Sequence, residues 1–436
     1  MRAVGRLAVG LIALALLVAA ALPAGAQARW GRAFTLAGPG TLDLLSPALA
    51  VAPSGAAAVG FSSEDVDLPG SAQAQLALRG AGGADAAPQP VPGAGEVLAL
   101  AYDRSSLELL TGTEPRDGDC CSSVRAVRVG SGGHLQRPRT LVGGLAGATQ
   151  ASLETLADGR MLAAVATQRG VWVAQSTSAN RFAGQRLLTG RGQMPETLAA
   201  AGLGGEDSIV AWTAASGVAG ASAPGAIRYA LGSRRSAPHA PRTAVRAQAG
   251  HRVDELGVAP QGHGEAGAAW IESWFSAGGA WRSQVRAIEI APGSHPRTLS
   301  SIGRLASGLT FAGDAAGDQA LAWESCTVDS SCTARVVVRR AGGRFGAPLT
   351  LGAVDADEAP ALAVGPGGQV VVAWIDGGQP YAVSETAPDR GLGRPVRLSS
   401  SIYASGISVA AGPRRHALVA WTQGTLNPSV VGVQLH

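Results

Sequence analysis

The sequence predicts an all-β protein, a β-propeller built from four-stranded blades, and three observations carry that prediction. Two markers, an Ala-Trp strand ending and a Pro-x-x-Leu strand opening, alternate along the chain at a period of about fifty residues. Between them lie short β-branched runs punctuated by Gly and Pro, with no helical apolar period. Near the N-terminus, Trp30-Gly31-Arg32-Ala33-Phe34-Thr35-Leu36 parallels Phe345-Gly346-Ala347-Pro348-Leu349-Thr350-Leu351, so an outer strand stands at the wrong end of the chain. A displaced outer strand is what a ring needs to close and to remove its open edges.

The clearest unit runs from Ala361 to Leu398. Ala361 to Val364 is a strand of small residues, and Gly365-Pro366-Gly367-Gly368 is a turn, because Gly tolerates positive φ and Pro presets φ. Gln369 to Trp374 is β-branched and ends in Ala-Trp, the composition of a strand buried on both faces. A variable loop, a strand from Tyr381 to Thr386, a Gly-bearing turn and a last strand from Pro395 complete the unit. The second strand recurs at Ala211-Trp212, Ala269-Trp270, Ala322-Trp323 and Ala420-Trp421, with Gly60-Phe61 in the same place near the front. The fourth recurs from Pro138, Pro296 and Pro348, with a degenerate copy at Pro241. Proline cannot donate to a ladder, so these strands belong at sheet edges. Units open near Ser46, Ala94, Thr149, Pro195, Asp254, Ile302, Pro360 and Gly406, which makes eight blades; a count of seven follows if one of the Trp-less second and third units is an insertion. The last unit stops after its third strand, and the N-terminal copy completes it.

Residues 1–28 read as a signal peptide: Arg2 and Arg6, an apolar run from Leu7 to Leu22, then small residues offering cleavage after Ala26 or Ala28. Residues 29–436 form a single propeller domain in this reading, exported, monomeric and without a transmembrane segment once the leader is removed. The basic residues are all arginine, and losing Arg2 and Arg6 takes the formal charge from +4 to +2, with no basic stripe to suit a nucleic acid.

Cysteine usage fits export. Cys326 and Cys332 bracket a five-residue loop and are expected to form a disulfide. Cys120 and Cys121 are adjacent, and their pairing stays open between free thiols, a vicinal pair and bonds elsewhere. No CxxC, HExxH or paired-His spacing supports a metal, and no cofactor is expected. No G-x-S-x-G or Walker-type loop is present.

The loops joining strands two to three, and blade to blade, share one face of such a ring and carry a large part of the chain's carboxylates. Three readings stay open for them: plain solvation, a hard cation such as Ca²⁺ held by Asp355-Ala356-Asp357-Glu358 or Glu64-Asp65-Val66-Asp67, and a carboxylate pair for glycoside cleavage. A sharper signal is Trp270-Ile271-Glu272-Ser273-Trp274-Phe275-Ser276-Ala277-Gly278-Gly279-Ala280-Trp281, which puts Trp274, Phe275 and Trp281 in a loop beside carboxylates, where aromatic rings suit a sugar face or a partner.

The pattern LAV-x-P-x-G, VVAW, FG-x-P-x-x-L resembles the repeats of secreted bacterial β-propellers, which are grouped with sialidase-like (BNR-type) propellers. The resemblance implies the architecture over nearly the whole chain. Sialidases would also carry turns of the form S/T-x-D-x-G-x-T-W, and no stretch matches, so no catalytic residue is transferred. The expectation is a non-catalytic binding or scaffold module for a glycan, a cell-envelope polymer or an extracellular protein, with Trp274, Phe275, Trp281, Glu272, Glu324 and Asp376 as candidate ligand-binding residues. The alternative is a propeller-type glycoside hydrolase or lyase using Glu272, Glu324 and Asp376.

Overall fold

In the computed structural model the chain is a ring of eight antiparallel sheets, each of four main strands ordered from the axis outward. The structure describes residues 30–435 apart from short stretches, the longer of which are 66–71, 114–121, 190–194, 215–224 and 386–390. The expected leader, Asp67 and the Cys120–Cys121 pair lie outside the described residues. Among the described residues no helix is long and apolar enough to cross a membrane.

The expected closure is present. Phe34–Ala37 pairs with Ser429–Leu435 and supplies the outer strand of blade eight, and Trp30 bridges to Leu435. Each boundary between neighbouring blades is filled by a hydrophobic cluster. The second strands explain why. They are buried on both faces, and Trp212, Trp270, Trp323, Trp374 and Trp421 are at most 2% exposed. Pro138, Pro296, Pro348 and Pro395 each stand just before an outermost strand, where the missing N–H costs no ladder bond. Cys326 and Cys332 are disulfide-bonded across the hairpin of blade six.

Inner strands carry a bulge near the end where they enter the ring, between Val97 and Ala99, Pro195 and Leu198, Ser307 and Thr310, and Ser405 and Ser408. A bulge frees amides from the ladder, and the preceding blade accepts them. Ser62 Oγ takes Val97 N at 3.0 Å, Gln150 Oε1 takes Leu198 N at 2.6 Å, Glu255 takes Gly308 N at 3.0 Å together with Leu309 N, and Glu358 takes Gly406 N at 3.2 Å.

Candidate functional site

The face holding the two-to-three and blade-to-blade connections, the top face, is dominated by blade five. Its inner strand His251–Gly262 and second strand Glu265–Phe275 are unusually long and pair from His251↔Trp274 down to Gly262↔Glu265. The third strand, Trp281–Glu289, continues that pairing to Phe275↔Trp281. The expectation that Trp274, Phe275 and Trp281 sit in a loop is therefore corrected: they occupy strand ends, and the turn is confined to Ser276–Ala280. The reason is the alternation of Trp270, Glu272 and Trp274, a period of two that keeps one face of the strand against blade four.

That alternation splits the site in two. On the blade-four side, Glu272 is buried and both its oxygens are committed: His251 Nδ1 lies 2.7 Å from Oε1, and Arg286 Nη1 donates to Oε2 at 2.6 Å. Trp274 stacks parallel on His251 at 4.7 Å, and the Arg286 guanidinium lies 5.8 Å over the Trp270 ring. On the hairpin tip, Phe275 and Trp281 are 69% and 38% exposed and meet edge to face at 4.8 Å. Ser273 donates to Asp254, which Arg252 approaches at 3.5 Å.

Glu324 occupies the equivalent end of blade six but on the opposite strand face. It is 2% exposed and accepts from Ser307 Oγ at 3.1 Å. Burial pushes its carboxyl above the usual range and the Asp357 and Glu255 charges push the same way, against the Ser307 hydrogen bond. Its carboxylate lies close to both cysteine sulfurs, but these are bonded to each other and offer no thiolate to a metal. Asp376 ends the second strand of blade seven beside a two-residue turn, Gly377-Gly378, rather than the variable loop expected there. Asp355 takes the amides of that turn, 2.7 Å each. Burial also raises Glu358 and Glu96, and the Gly406 amide opposes it at Glu358. Asp355, Glu358 and Glu255 thus serve as backbone acceptors, and the structure places Glu272, Glu324 and Asp376 on three successive blades, each in its own setting.

Further apolar side chains on this face were not anticipated. Val328 in the disulfide loop is 84% exposed, and Ile402 and Tyr403, in the connection from blade seven to blade eight, are 47% and 58% exposed. Tyr403, Asp357 and Ser330 hold positive φ on the same face, a conformation that side chains other than glycine rarely adopt. An apolar Ile-Tyr pair inside a Ser- and Gly-rich connection is a signal that could have been read; His251 and Arg286 meet Glu272 only through strand register and leave none. Toward the axis the face opens into a cavity of about 600 Å³, walled by Glu96, Gln150, Thr197 and Glu255 among Leu and Ala.

No protein-family model matches the chain, and no curated protein matches it. Solved structures do. The polysaccharide lyase Uly1 is similar at a TM-score of 0.50 with 9% identity, over 78% of this chain and 89% of that one. A protein of unknown function from Dyadobacter fermentans DSM 18053 is similar at 0.44 with 10% identity, over 94% and 99%. The α-L-arabinofuranosidase Arb93A from Fusarium graminearum is similar at 0.44 with 11% identity, over 93% and 97%. At these identities the likeness is one of fold, an architecture that serves binding as well as catalysis.

Proposed function

We propose that this chain is an exported, non-catalytic binding module whose top face grips an extended glycan or envelope polymer, with the blade-five hairpin as its principal contact. The observation that supports this most is the exposed Phe275–Trp281 pair, held edge to face on a hairpin that projects its rings into solvent. Rings of that size are usually removed from water, and they are enriched where recognition occurs. The hairpin is also braced from behind by Trp274 on His251 and by Glu272 between His251 and Arg286, so ordering it costs little on binding. Both Glu272 oxygens already hold a protein partner, His251 on one and Arg286 on the other, which favours a bracing role over a reaction at that position. The Cys326–Cys332 bond supports export, since structural disulfides belong to oxidising compartments.

The test is binding of the chain to a panel of soluble glycans and envelope polymers, with Phe275→Ala/Trp281→Ala beside it. Saturable binding that the double variant loses supports the reading; a variant that binds as tightly as the parent, or a panel without any binder, removes it. A second reading, a glycoside hydrolase or lyase, draws on the raised carboxyl of Glu324, a group suited to donating a proton. It requires a shortened or unsaturated product whose release stops in Glu324→Gln.

A further inference from the structure

On the opposite, bottom side of the ring, the boundary between blades five and six contains a cleft of about 330 Å³. That volume lies at the lower end of the range, about 300–1,000 Å³, of small-molecule sites. Arg339 forms one wall although it is 6% exposed. Its Nε donates to Gly343 O at 2.9 Å, Nη1 donates to Gln319 Oε1 at 3.1 Å, and Glu289, itself half in solvent, stands 3.5 Å from Nη2. A guanidinium has five N–H bonds, so these contacts leave hydrogens over on both terminal nitrogens. Gln261, 8% exposed, also lines the cleft, and its side-chain oxygen is buried without a hydrogen-bond partner. Such an orphaned acceptor calls for an explanation, and a ligand donor is one. Phe311 and Phe345, 6.4 Å apart between centroids, supply an apolar surface. At the rim Arg344 and Arg297 are exposed and make no ion pair among the described residues, so three guanidinium groups face the single carboxylate of Glu289.

We propose that this cleft is a second binding site, separate from the top face, for a small organic anion that carries a hydroxyl near its carboxylate or phosphate. The anion satisfies the spare Arg339 hydrogens and is attracted by the two rim arginines. The hydroxyl donates to the Gln261 oxygen, and the carbon skeleton lies against the phenylalanines. A neutral sugar lacks the charge, and a bare carboxylate such as acetate lacks the donor.

The experiment is a calorimetric titration of the whole chain at constant ionic strength with gluconate and with glycerol 2-phosphate, beside glucose and acetate. At least one of the two hydroxylated anions binds saturably and more tightly than acetate or glucose, and which of them does so separates a carboxylate from a phosphate ligand. Arg344→Ala and Arg297→Ala each weaken that binding about tenfold, the effect of one lost charge-assisted contact. Gln261→Leu removes the preference for the hydroxylated anion over acetate. Phe275→Ala/Trp281→Ala leaves the titration unchanged, which separates this site from polymer binding. Absence of saturation with both anions, or unchanged binding in both rim variants, overturns the proposal; the rim variants decide it even where replacement of Arg339 prevents folding.

Discussion

Replacing Glu272 with alanine tests the brace behind the aromatic hairpin. The carboxylate is 1% exposed, and its partners Arg286 and His251 keep side-chain exposures of 20% and 17%. Removing one member of a buried pair costs about 3–5 kcal/mol, because the remaining charge keeps its desolvation penalty without its partner. The residual water access of Arg286 puts the expected loss at the lower end, about 3 kcal/mol. With a urea m-value of about 3 kcal/mol/M, the unfolding midpoint falls by about 1 M. The assay is urea unfolding followed by tryptophan fluorescence, with Glu272→Ala, Arg286→Met and the double variant Glu272→Met/Arg286→Met. The double variant, which leaves no unpaired arginine, is expected to be more stable than Glu272→Ala. A loss below about 0.5 kcal/mol in Glu272→Ala, within the range of an ordinary surface substitution, would refute the reasoning.

Three further outcomes follow from other parts of the ring. Burial pushes Glu108 from its ordinary 4.5 to about 7, with the Arg128 and Arg139 charges opposing and Asp103 adding to the rise. A carboxyl raised in the folded state binds its proton more tightly folded than unfolded, so the protein loses stability as pH climbs from about 4.5 through about 7. Glu108→Gln is expected to flatten that slope in urea midpoints measured across the window and to be the more stable form at pH 8. Deleting residues 30–37 strips the outer strand from blade eight, removing Leu36, 5% exposed, and Phe34 beneath Arg79 and uncovering Val59, Phe61, Leu418 and Val430 of the cluster they cover, and is expected to cost about 3 kcal/mol or more and to cause concentration-dependent association seen by light scattering. The Cys326–Cys332 bond closes a short loop with a sequence separation of six, so its removal by serine substitution is expected to cost about 2 kcal/mol, and reductant should lower the midpoint of the parent but not of the variant.

The architecture was legible because its markers sit where burial is complete. The five Ala-Trp endings lie in second strands sealed on both faces, and the displaced N-terminal copy pairs with Ser429–Leu435 as the pattern required. The candidate face was legible only in part. The sequence singles out Trp274, Phe275 and Trp281 as residues but places them in a loop, whereas strand pairing runs as far as Phe275↔Trp281. His251 was not legible, since it lies 21 residues from Glu272 and reaches it through register alone. Nor did composition show that Glu255, Asp355 and Glu358 accept backbone amides, because bulges and tight turns create those demands and leave no fixed spacing behind. Gln261 and Arg339 come together across a blade boundary, a neighbourhood that only the closed ring defines.

The closing strand of blade eight also sets how the ring would respond to a pull. Trp30 faces Leu435 at the beginning of the antiparallel pair, so both ends of the described chain leave from one corner, on the side away from Phe275 and Trp281. Tension drawing those ends apart would load the hydrogen bonds of that seam one after another, like a zipper, instead of sharing the force among them in shear. A ring tethered at a single end keeps its seam unloaded and turns its aromatic side outward from the tether. Held from both ends, it would open first at blade eight.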